Sequence, residues 1–92
     1  MIKLTFCLHR LPSLSRDDFQ RYWREVHGPL GARVPQLRRY EQCHTRLAAY
    51  AGGREPTWDG IALVWLDDEQ AMRDAALSPE YARMKEIGRA HV

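Results

Sequence analysis

His27 is the residue in this chain best placed to do chemistry, because an imidazole titrates near neutral pH and both takes and gives protons. It closes the stretch S-R-D-D-F-Q-R-Y-W-R-E-V-H-G-P-L, residues 15–30, in which Phe19, Tyr22 and Trp23 lead up to it. A helix end favours its charged form, whereas burial opposes it. The same ring could simply fill an apolar face and bond a backbone carbonyl, so proton transfer and packing are both open readings. A second constellation lies on a strand, where Tyr40, Gln42 and His44 alternate with Glu41 and Cys43 and so point the same way. Their strand reads either as a sheet edge or as one wall of a polar cavity, into which these three would point. Tyr22 and Trp23 read either as core or as ligand contacts, and the Tyr22 hydroxyl needs a partner if it is buried.

The elements that must position these groups follow from the pattern. Ser15 is a good N-cap with Asp18 three residues on, and Asp17 and Asp18 place negative charge at the positive end of the helix dipole. At about 100° per residue, Phe19, Tyr22, Trp23, Val26 and His27 share an arc of roughly 140°, an inward face. Gly28 suits a left-handed C′ residue and Pro29 disfavours helical geometry before it, so the helix is predicted to stop at His27 or just before, with room for one more short turn of helix within Gly28–Pro35. Residues 2–9 alternate as a first strand, with Ile2, Leu4, Phe6 and Leu8 on one face and Lys3, Thr5, Cys7 and His9 on the other. His9 could face the same cavity as Thr5 or mark the strand's exposed end. Residues 38–47 form a second strand with no plainly apolar face, and 48–57, with Gly52-Gly53 and Pro56, read as a mobile loop. The strand 58–66 is apolar on both faces and must be covered on both. Asp67 or Asp68 caps a helix through about Ala76, and Ser78-Pro79-Glu80 opens another, with Tyr81, Met84 and Ile87 as its apolar stripe and Gly88 at its end.

Ninety-two residues make one domain, which buries only about 60–70% of its unfolded surface and so gains from pairing. The apolar fraction of 45% and charged fraction of 28% are those of a globular chain. Its net charge of +2 comes mainly from scattered arginines, which gives nucleic-acid binding little support. No apolar run approaches the roughly 20 residues of a membrane span, and the N-terminus has too short an apolar core for a secretory signal, so a cytoplasmic protein is expected. Cys7 and Cys43 are too few and too far apart for a disulfide framework or a zinc motif, and both are expected to be small buried strand residues. The nucleotide-loop, metalloprotease, C-x-x-C and nucleophile-elbow motifs are all absent, and His9, His27, His44 and His91 form no i, i+4 pair. No cofactor is expected.

The run F-x-x-Y-W-x-x-V-H-G-P-L, from Phe19 to Leu30, resembles the signature of the EthD family. The strand ending near His9-Arg10, the L-R-R-Y-x-Q of Leu37–Gln42, the W-D-G of Trp58–Gly60 and the S-P-E-Y of Ser78–Tyr81 follow in the family's order. The resemblance implies an α+β chain, a ferredoxin-like βαββα(β) subunit that pairs into a dimeric α+β barrel, although only residues 89–92 remain for the last strand. It implies His27 as proton donor or acceptor, with Tyr22, Trp23, Tyr40, Gln42 and Asp59 as substrate contacts, to which the shared strand face adds His44; Asp59 with Gly60 reads more readily as a bulge or a structural hydrogen bond. The activity it implies is cofactor-independent small-molecule chemistry linked to oxidative catabolism or to polyketide or aromatic intermediates. The competing reading is a non-catalytic ligand-binding accessory to a monooxygenase. Haem binding through one histidine, allowed in the wider barrel superfamily, has no support in the sequence.

Overall fold

In a computed structural model of the chain, which describes residues 1–83, three strands form one antiparallel sheet in the order β1, β3, β2. Strand β1 is Ile2–Leu8, β2 is Arg39–His44 and β3 is Gly60–Leu66. The strand apolar on both faces is the central one, as its pattern requires, with Ile2 opposite Leu66 on one side and Tyr40 opposite Val64 on the other. One sheet face carries Leu4, Ala62, Val64, Leu66, Tyr40 and Gln42 and packs under the helices. The other carries the rows Lys3–Trp65–Arg39, Thr5–Leu63–Glu41 and Cys7–Ile61–Cys43. Both cysteines are therefore exposed, contrary to their expected burial, because they occupy the odd-numbered face that none of the described helices covers.

Helix α1, Arg16–Tyr22, starts as its cap predicts, with the Ser15 side chain accepting from the Asp18 N–H at 3.1 Å. It does not stop at His27. The chain passes through a π-helical turn, Trp23–His27, directly into α2, Gly28–Ala32, and Gly28 has a right-handed φ of −57°. A proline inside a helix lacks an N–H and clashes with the carbonyl four residues back, which for Pro29 is that of Glu25. The wider turn relieves this conflict: the Gly28 N–H reaches back five residues to the Trp23 carbonyl, and the ladder resumes beyond Pro29. The extra residue also changes the inward face. Val26 turns outward to 39% exposure, while Phe19 and Trp23 are fully enclosed and the polar Gln20 is buried beside them.

The segment 48–57, predicted as a mobile loop, instead contains a 3-10 segment, Leu47–Gly53, interrupted at Ala51 and Gly52. Tyr50 holds it down. Its ring is buried, its hydroxyl donates to Asp59, and the guanidinium groups of Arg16 and Arg10 lie 4.9 and 5.6 Å from its centre. Helix α3, Glu69–Ala76, is capped by Asp68, which accepts from the Ala71 N–H at 2.8 Å. A further helical stretch over 79–83 begins where Ser78 accepts from the Tyr81 N–H at 3.1 Å. Met84, Ile87, Gly88 and the last-strand positions 89–92 lie outside the described residues. Two cores result, one of Phe19, Trp23 and Ala62 and one of Val34, Val64, Leu66 and Ala75.

Candidate functional site

Between the helices and the covered sheet face lies a cavity of about 240 Å³ with almost wholly apolar walls. Leu4, Phe6 and Leu8 line it from β1, Ala62, Val64 and Leu66 from β3, and Val34, Leu37, Met72 and Tyr81 close it from the helical side. Besides Tyr81, three more polar-headed residues complete the wall: Trp23, His27 and Tyr40. A small apolar pocket with a few convergent polar groups is the usual form of a small-molecule site.

Trp23 sets the geometry of that wall. The benzene edge of its indole rests on Gly60, where a Cβ would stand only 2.3 Å from Cζ3, so the central strand must carry glycine there. The opposite, N–H edge is then turned away from Gly60, toward Tyr40. Trp23 Nε1 is buried and directed at the Tyr40 oxygen, at an approach that falls short of a full hydrogen bond. His27 lies one turn further along the same side of the helix and is half-buried, and its Nδ1 is enclosed without a partner among the described residues. Burial pulls the His27 pKa below the ordinary histidine value, so the ring is neutral at pH 7.

Tyr40, Gln42 and His44 do face one way, toward the helix. Gln42 Nε2 donates to the Trp23 carbonyl at 2.9 Å and to the Tyr40 hydroxyl at 3.1 Å. That carbonyl is the one the π turn shares with Gly28, and a Cβ on Gly28 would stand 2.9 Å from Gln42 Nε2. The H-G-P sequence thus brings the helix close enough to β2 for this contact. Burial pushes the Tyr40 phenol up, against the opposing pull of Gln42 and Trp23. His44 packs its ring on Trp23 at 4.5 Å between centroids, with Nδ1 2.6 Å from Gln20 Oε1 and Nε2 2.8 Å from Gln42 Oε1. Burial first, and then Arg24, pull its pKa down. Gln42 and His44 therefore stand behind the cavity wall and are tied to Tyr40 within it.

The remaining candidates lie elsewhere. Tyr22 does not line the cavity, and burial raises its phenol. The buried Asp59 carboxylate accepts from Arg10 through the backbone N–H at 2.9 Å and the guanidinium at 2.7 Å, and from the Tyr50 hydroxyl. Burial pushes this carboxyl up, but Tyr50 and Arg10 outweigh it and hold the pKa below the usual range. Asp59 ties the 3-10 segment to the end of β1 and is not part of the cavity wall. His9 is exposed and packs on Trp58 at 4.5 Å. Gln20 and Tyr50 were missed in the sequence. Gln20 could have been found from its spacing, three residues before Trp23 and seven before His27, whereas Tyr50 gave no periodic signal. Among the described residues no group of three or more His, Cys, Asp and Glu could hold a metal ion, and no helix is long and apolar enough to cross a membrane.

The model of the EthD domain family matches residues 11–89. The chain belongs to the EthD domain family. Its fold is also similar to the crystal structure of an EthD family protein from Bacillus halodurans C-125, with a TM-score of 0.73 at 17% identity, over 94% of this chain and 82% of that one. No curated protein matches it. The EthD fold of this chain is α+β and ferredoxin-like, and its helix-to-sheet cavity has His27 in the wall.

Proposed function

We propose that this EthD protein takes up a small, largely apolar organic molecule in the cavity between sheet and helices and exchanges a proton with it at His27. The observation that carries this reading is the enclosed Nδ1 of His27, a polar atom with no partner among the described residues in the wall of an otherwise apolar cavity. A buried polar atom left unpaired costs about 1–3 kcal/mol, which a ligand hydroxyl or carbonyl would recover once the His27 ring turns Nδ1 toward the cavity. A neutral imidazole is the form that accepts a proton. The reaction class is cofactor-independent chemistry on an oxygenated apolar or aromatic compound, within oxidative catabolism.

A second reading, ligand carriage on behalf of a partner monooxygenase, draws on the wall's composition. Among the described residues no carboxylate lines the cavity, so His27 has no acidic partner among them. Native mass spectrometry of the protein as purified would identify a copurifying molecule. Calorimetric titration with naphthalene and 1-naphthol, equal in shape but for one hydroxyl, then tests the site. The wild type should bind 1-naphthol about tenfold more tightly than naphthalene, the value of one hydrogen bond to a buried group. His27→Leu should erase that preference while still binding naphthalene. Equal preference in both proteins removes His27 from the site.

A further inference from the structure

Two amide side chains close on His44 from opposite sides, and the far end of each fixes which of its atoms meets the ring. Gln20 Nε2 donates to the Asp59 carbonyl at 2.8 Å, and Gln42 Nε2 donates to the Trp23 carbonyl at 2.9 Å. A backbone carbonyl only accepts, so the NH2 groups belong at those ends and the amide oxygens face His44. Gln20 Oε1 then stands 2.6 Å from Nδ1 and Gln42 Oε1 2.8 Å from Nε2. A neutral imidazole carries one N–H and cannot donate to both oxygens; an imidazolium can.

We propose that His44 is a positioning residue whose proton sets the direction of the Tyr40 hydroxyl in the cavity wall. This rests on the reading of that cavity as the ligand site. With the ring protonated, Gln42 is held with its NH2 toward Trp23 and Tyr40, so the Tyr40 oxygen accepts from Gln42 and its own O–H is free for a ligand. Loss of the proton to solvent leaves a lone pair against one of the two amide oxygens. Gln20 is the more deeply buried amide and has the shorter contact, so the neutral ring keeps Nδ1–H on Gln20 and presents the Nε2 lone pair to Gln42. The Gln42 amide then turns over, giving up its bond to the Trp23 carbonyl and swinging its oxygen clear of that acceptor, so that it donates to Nε2 and presents its oxygen to Tyr40. Tyr40 becomes the donor in that pair, and its O–H is withdrawn from the cavity. The Trp23 carbonyl keeps its bond from the Gly28 N–H throughout.

The charged group facing His44 from the helix is Arg24. From β2 the ring meets Gln42 beside the neutral Tyr40, from β3 it meets Gly60, and the nearby Asp59 carboxylate is turned to Arg10 and Tyr50. Burial and Arg24 pull the His44 pKa down, and the two amide oxygens work against them by favouring the charged ring.

The test is a pH titration of the full chain, without ligand, by NMR of the histidine ring nitrogens and the Tyr40 ring carbons. Both His44 nitrogens should be protonated at the acid end, and the Tyr40 signals should move with the His44 midpoint. Gln20→Leu should lower that midpoint by about one pH unit, the size of one hydrogen bond to a charged group. Gln42→Leu should lower it similarly and uncouple Tyr40. If Gln42→Leu fails to fold, Gln20→Leu and the wild type still decide. A His44 that stays a single neutral tautomer down to about pH 5, well below the reference value, or a Tyr40 that ignores its titration, overturns the proposal. Failure of 1-naphthol to bind would be a separate result, against the cavity reading alone.

Discussion

At the scale of single residues, Gly60 and Trp23 form one unit. The indole is fully enclosed, and its benzene edge occupies the space a side chain on residue 60 would need. Gly60→Ala would put a methyl group 2.3 Å from Cζ3 of a ring that packs on Phe19 and His44, so the ring or the central strand must move. Overpacking of this kind costs about 1–3 kcal/mol, to be read as a lower urea midpoint at unchanged slope. A neutral result would show that the indole shifts freely. His27 gives a second prediction at this scale. Burial lowers its folded pKa below the unfolded value, so the unfolded chain binds the proton first as pH falls. Its contribution is therefore complete above the unfolded pKa of about 6.5, declines as pH drops through that value, and stops declining below the folded pKa. Urea titrations at about pH 7.5 and about pH 5, on either side of the reference value, should show the wild type losing more stability than His27→Gln. Equal losses would mean that the His27 ring is solvated.

At the scale of elements, the helix that crosses Gly28-Pro29 shows what pattern reading reaches and where it stops. The N-cap at Ser15, the buried Phe19 and Trp23, the central apolar strand and the common face of Tyr40, Gln42 and His44 were legible, because each follows from short-range periodicity or capping. The continuation past His27 was not, because Gly-Pro is a stop signal in isolation. It becomes a helix interior only when the turn widens and a strand side chain, Gln42, takes up a share of the Trp23 carbonyl. Tyr50 and its Asp59–Arg10 anchor are tertiary for the same reason: nothing in Leu47–Gly53 announces what it docks on. Gly28→Ala probes the crossing directly. At an open helix position this exchange gains about 1 kcal/mol. Here the new Cβ would stand 2.9 Å from Gln42 Nε2 and 3.3 Å from the Trp23 carbonyl, so the gain should be absent and Gln42 should be displaced. Thermal unfolding that shows the full gain would mean that helix and strand are not in close contact at this point.

At the scale of the molecule, the sheet has one covered face and one bare one. The described helices lie on the cavity side, while the other side carries Ile61, Leu63 and Trp65 in a row down the central strand. Polar or charged neighbours flank the row: Lys3 and Arg39 place their cations 5.7 and 5.0 Å from the Trp65 ring, and Thr5 and Glu41 stand beside Leu63. An apolar ridge with a polar rim is the composition of an interface core. A second copy of the chain is the simplest cover, since the ridge of one sheet can pack on the ridge of another about a two-fold axis, each supplying the same row. The proposal is thus a homodimer formed sheet against sheet, which would leave both cavities on the outer, helical sides and open to ligand. Analytical ultracentrifugation at micromolar concentration should find twice the chain mass of 10.8 kDa. Leu63→Lys, which puts a charge in the middle of the ridge while leaving the helix-side core untouched, should give a folded monomer with the affinity for 1-naphthol intact. A wild type that sediments as a monomer refutes the pairing. A Leu63→Lys protein that remains dimeric would place the interface elsewhere.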